Sequence, residues 1–125
     1  MLKKLSLAAA VLIACAASTA FAAPANVADS AKGKVLVDSK GMTLYTFAKD
    51  SAGKSACNGQ CLANWPAFTA QATAKDADGY SVITRDDGSK QWAYKGQALY
   101  TWVKDSKPGD ITGDGVGGNW NLAKP

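Results

Sequence analysis

The stretch LYTFAKDS at residues 44–51 returns as LYTWVKDS at residues 99–106, and working outward from the two copies decides the fold. Lys40 to Trp65 aligns without a gap on Lys95 to Trp120, at a constant offset of 55 residues. Identities include Lys40/Lys95, Gly41/Gly96, Leu44/Leu99, Tyr45/Tyr100, Thr46/Thr101, Asp50/Asp105 and Trp65/Trp120. A repeat of this size is one supersecondary unit that cannot bury its apolar face alone and packs against its copy.

Each unit reads as β structure. KVLVDSKGMTLYTF and KQWAYKGQALYTWV place β-branched and aromatic residues on both sides of a Lys-Gly dipeptide, which suits a two-residue hairpin turn with glycine at positive φ. With turns at Lys40-Gly41 and Lys95-Gly96, Val37 faces Leu44 and Trp92 faces Leu99. Tyr45 and Phe47 then share one strand face, as do Tyr100 and Trp102. YSVIT at residues 80–84 reads as a further strand, leading through the turn RDDGS, and CLANW as a single helical turn. The expected fold is a small all-β domain of two tandem hairpin units, about 33–79 and 80–125, with long glycine-rich or disulfide-bridged loops.

The chain opens with Lys3 and Lys4, an apolar small-residue run, and Ala20-Phe21-Ala22, the pattern of a cleaved export signal over residues 1–22. Leu12-Ile13-Ala14-Cys15 offers a competing site, a lipobox whose cysteine would anchor the protein in a membrane. Residues 23–32 read as a flexible N-terminal segment, and no transmembrane segment is expected in the mature chain. Cleavage after Ala22 leaves 103 of the 125 residues, enough for one small domain. Losing Lys3 and Lys4 from 14 basic residues leaves 12 against 10 acidic ones, too mild and too scattered a charge for a nucleic-acid partner.

The chain contains no histidine and no glutamate. That excludes Ser-His-Asp and Cys-His nucleophiles, histidine-liganded zinc or copper, and c-type haem attachment. Any acid or base work falls to Asp, Tyr or Lys. Cys57 and Cys61, in an exported domain, most simply form a disulfide closing a short loop, worth about 2 kcal/mol on the chain-entropy model. A redox pair or thiolate metal site is the alternative, although three residues separate the cysteines rather than two. Asp50 and Asp105 occupy equivalent positions. They read as turn-fixing side chains that accept backbone N–H bonds, with paired catalytic carboxylates as the alternative. Asp110 and Asp114 match the opening spacing of a calcium loop, but the twelfth position holds Asn121. Trp65, Trp120 and the other aromatic residues read as core, or in part as a surface on which sugar rings or envelope polymers stack.

Taken together, G-x-x-LY-x-F-x-x-D, C-x-G-x-C-x-x-x-WP and G-x-x-LY-x-W-x-x-D-x-x-PGD resemble bacterial secreted-repeat proteins, described as predicted lipoproteins with a Y-x-[FWY]-x-x-D motif. The resemblance covers Gly33 to Pro125. It implies an exported tandem-repeat β domain and carries no biochemical activity. The expectation is therefore a periplasmic or secreted, non-catalytic envelope module without a cofactor, structural or ligand-binding, with an envelope polymer or protein as partner. A redox or metal-handling accessory protein using Cys57 and Cys61 is the runner-up.

Overall fold

The computed structural model describes residues 23–125, so the expected export signal over residues 1–22 and the alternative lipobox reading at Cys15 lie outside the described residues. Strands β1 (Asn26–Ser30) and β2 (Gly33–Val37) form an antiparallel hairpin, and β3 (Tyr45–Phe47) follows. A five-residue helix α1 (Gln60–Asn64) precedes β4 (Tyr80–Thr84), β5 (Lys90–Tyr94) and β6 (Gln97–Ala98), which form one antiparallel sheet. A 3-10 turn at Val116–Gly118 leads into β7 (Trp120–Leu122), which pairs with β3. Among the described residues the regular elements are nearly all strands, as the tandem hairpins imply.

Residues 26–30 are not a flexible lead-in. They pair with β2 along their whole length, from Asn26 opposite Val37 to Ser30 opposite Gly33. NVADS hides this because Ala, Asp and Asn are poor strand formers in isolation, and the pairing comes from the hydrophobic β2 beside it.

The two Lys-Gly turns differ. Lys95 and Gly96 both take positive φ, 51° and 85°, and close the expected two-residue turn, with Trp92 N–H and C=O facing Phe68 and Leu99. At the first copy Val37 bridges Thr43, and Leu36 rather than Val37 faces Leu44, so the register has slipped by one residue. Asp38 is the cause: its Oδ1 accepts N–H bonds from Lys40 and Met42, both at 2.9 Å, which enlarges the loop to Ser39-Lys40-Gly41.

The units do not simply stack; they exchange strands. Tyr45 and Tyr100 pair directly, N–H to C=O in both directions at 2.8 and 3.0 Å. The strand after Trp120 lies beside the first copy's Tyr45, and the segment after Trp65 lies beside the second copy's Tyr100. Ala48 donates to Asn119, and at the offset of 55 Val103 donates to Asn64. The same offset relates Ala123→Leu44 to Phe68→Leu99, so an approximate twofold axis passes between Tyr45 and Tyr100. Alternation then sorts side chains into two layers: Leu44 and Leu99 join Leu36 and Tyr80 on one side, Tyr45 and Tyr100 join Trp65 and Trp120 on the other.

Candidate functional site

Four rings stack across the twofold axis. Trp65 and Trp120 lie face to face at its centre, 3.7 Å between centroids and 3° from parallel. Phe47 covers the outer face of Trp120 at 4.2 Å, and Trp102, its counterpart, covers Trp65 at 4.0 Å. Tyr45 meets Trp65 edge-on at 5.3 Å, and Tyr100 meets Trp120 edge-on at 5.1 Å. Each copy therefore contributes alternate layers, and the edge-on contacts of the two tyrosines add to simple burial. Trp65 and Trp120 are buried, while Phe47 and Trp102 at the ends remain half-buried. Gly113 has no room for a side chain, because a Cβ there would sit 2.8 Å from Trp65 and 2.9 Å from Tyr45.

The tyrosine phenols cross between copies as the strands do. Tyr45 donates to Asp105 Oδ2 at 2.7 Å, and Tyr100 donates to Asp50 Oδ2 at 2.7 Å. The aspartates do not share a proton with each other; each serves the tyrosine of the opposite copy. Their second oxygens hold the following loops, Asp50 Oδ1 accepting from Ala56 N–H at 2.6 Å and Asp105 Oδ1 from Thr112 N–H at 2.9 Å. These are turn-holding bonds, but they reach six and seven residues along the chain rather than two.

Burial pushes the Tyr100 phenol up to about 12, with the Asp50 carboxylate adding to the rise. Burial and the Asp105 hydrogen bond raise Tyr45 further still. Burial also holds the Asp50 carboxyl above its ordinary value, against the Ala56 N–H, the Tyr100 phenol and the charge of Arg85. A phenol with a raised folded pKa contributes stability that is complete below the ordinary value of 10.0 and lost as pH rises through about 12. In an alkaline absorbance titration followed by circular dichroism, Tyr45 and Tyr100 are expected to ionise only as the fold melts. Reversible ionisation of both near their ordinary value in folded protein would refute the buried pairing.

One functional side chain escapes the repeat pattern. Arg85, the only arginine, is 5% exposed and sits where the sequence reads as a turn. Its Nη1 donates to Ser55 Oγ at 2.8 Å and Gln91 Oε1 at 2.7 Å, and its Nη2 to the Cys57 carbonyl and to Asn58 Oδ1 at 2.9 Å. Ser55 Oγ, accepting from Arg85 and from Cys57 N–H, keeps its own proton for Tyr100, whose phenol in turn donates to Asp50. A buried guanidinium thus faces a half-buried carboxylate through two hydroxyls. The one available clue in the sequence is that an arginine stands alone among thirteen lysines; a planar fork is chosen where several acceptors must be met at once.

Cys57 and Cys61 form the expected disulfide, with Cα atoms 5.3 Å apart. Cys57 is fully buried and its carbonyl is held by Arg85, so the bridge fixes the acceptor side of the polar network. At the matching place in the second copy, the glycine-rich 3-10 turn replaces the bridged helix. Asp110 and Asp114 do not converge. Asp110 accepts from Ser106 and Lys107, whose ammonium holds its carboxyl well below the usual range, while Asp114 pairs with Lys32 at 2.6 Å. Among the described residues no group of three or more His, Cys, Asp or Glu that could hold a metal ion is found.

A family model described as a secreted repeat of unknown function matches residues 26–69 and again residues 81–124, the same offset of 55. The chain belongs to this family of secreted repeats. The first match begins at Asn26, the first residue of β1, so the strand missed by sequence reading is part of the secreted repeat. No curated protein and no solved structure matches the chain. Among the described residues of this secreted repeat, no helix is long and apolar enough to cross a membrane.

Proposed function

We infer that this secreted repeat is an exported, non-catalytic module of the cell envelope, acting periplasmically or outside the cell as a rigid structural or ligand-binding element. The observation that carries the reading is the mutual saturation of the acid–base groups at the duplicated centre. Asp50, Asp105, Tyr45 and Tyr100 are all hydrogen-bonded to one another or to loop backbone, so none is presented to a substrate. The half-buried rims of Phe47 and Trp102 are the aromatic surfaces on which an envelope polymer or protein would rest. Cleavage after Ala22 supplies the exported form, with lipid attachment at Cys15 as the other route to the same compartment.

The test is native and intact mass spectrometry of protein recovered from the envelope fraction, with thiols counted before and after reductant. The expected result is an N-terminus at Ala23, no bound metal and no free thiol before reduction. A stoichiometric metal, or a Cys57–Cys61 pair that cycles readily with a partner thiol, would replace this reading with a redox or metal-handling one. A diacylglycerol-modified Cys15 would move the module onto a membrane without changing its class.

A further inference from the structure

Packing accounts for buried rings, and a buried phenol needs some hydrogen-bond acceptor. A backbone carbonyl would serve. Here both central phenols are instead aimed at carboxylates at 2.7 Å, a base that can take the phenolic proton. Each phenol oxygen also keeps a donor of its own: Gly113 N–H at 3.1 Å for Tyr45, and the Ser55 hydroxyl at 2.5 Å for Tyr100. The rings lead to these phenols without a break. From half-buried Trp102 the path runs through Trp65 and Trp120, with Tyr45 and Tyr100 edge-on to the central pair and no centroid step longer than 5.3 Å. Indole and phenol are among the side chains most readily oxidised by one electron, and rings in contact couple well for electron transfer.

We propose that the ring stack and its two tyrosine–aspartate pairs form a one-electron site, in which a hole placed on the stack by a radical oxidant comes to rest on Tyr45 or Tyr100 as a neutral phenoxyl radical. The oxidant gains one electron from an indole of the stack. The phenol then returns one electron to that indole, its O–H bond breaks, and the proton forms a new O–H bond on Oδ2 of Asp105 or Asp50. A phenol radical cation is strongly acidic, so the waiting carboxylate makes the phenol the resting place of the hole. The oxidants that fit are oxygen-derived or metal-centred radicals, met outside the cytoplasm. The raised carboxyl of Asp50 agrees with a group that accepts this proton. The proposal goes beyond the envelope-module reading, which stands whether or not the stack carries a hole.

Pulse radiolysis of the mature chain, with azide radical as the one-electron oxidant, tests it. The expected result is an indole-radical absorption that decays as phenoxyl absorption grows, at a rate independent of protein concentration and slower in D2O. Tyr45→Phe/Tyr100→Phe keeps the rings and is expected to lose that phenoxyl growth, whereas Tyr94→Phe keeps it. Should the double variant fail to fold, the unmodified protein still decides. No conversion, a rate that rises with protein concentration, no isotope effect, or growth that survives in a folded double variant would each overturn the proposal.

Discussion

Trp120→Ala is expected to take away about half of the domain's folding stability. Trp120 is 5% exposed, faces Trp65 at 3.7 Å and Phe47 at 4.2 Å, and lies perpendicular to Tyr100 at 5.1 Å. Deleting it removes contacts on both ring faces at once, and the flanking rings belong to strands that cannot collapse into the space without breaking the β3–β7 pairing. Truncating a buried aromatic residue costs about 3–5 kcal/mol, against a total stability of about 5–10 kcal/mol for a domain of this size. Trp65→Ala should match it by symmetry. Trp102→Ala, at a half-buried end with one face in the stack, should lose roughly half as much. Urea denaturation followed by tryptophan fluorescence and circular dichroism measures all three. If Trp120→Ala melts like the parent, the stack is not the centre of stability.

Arg85→Ala is the second large effect, about 3–5 kcal/mol, because it strips a buried network of its donor. Ser55, Gln91, the Cys57 carbonyl and Asn58 lose the guanidinium together, and Asp50 loses the positive charge that faces it through Ser55 and Tyr100. Arg85→Lys should recover little, since one ammonium cannot reach acceptors spread over two nitrogens of a planar fork. The network has a gap even in the parent: among the described residues Arg85 Nε is the one buried side-chain polar atom without a partner. Equilibrium unfolding of both variants at neutral pH decides the matter. A loss under about 1 kcal/mol for Arg85→Ala would mean that the buried charge costs as much as its hydrogen bonds return.

The repeat, the hairpins and the aromatic layer were legible because they depend on local pattern. Tyr45, Phe47 and Trp65 announce their counterparts by spacing alone, and Lys95-Gly96 closes the turn expected of it. The strand exchange was not legible. An offset says that two units are alike, but it does not say whether Tyr45 pairs within its own unit or with Tyr100 across the axis, since both arrangements bury the same faces. The slip at Lys40-Gly41 turned on one side chain, Asp38, absent from the second copy, where Ala93 stands at the matching position. Arg85 was hidden for the converse reason. Its counterpart at the offset is Ser30, and its acceptors lie on two separate stretches, residues 55–58 and Gln91, that come together only in the folded chain.

The twofold axis between Tyr45 and Tyr100 carries a historical consequence. An interface in which each half offers the same surface to the other is isologous, the arrangement by which two identical chains form a closed pair. A shorter ancestor bearing one copy could have satisfied its open strand edge and its unpaired indole by meeting a second molecule of itself. Joining two such genes end to end would make the association permanent and independent of concentration. It would also release the halves from the need to be identical, so that a bridge between Cys57 and Cys61 and a buried Arg85 could arise on one side of the axis while glycines threaded the other.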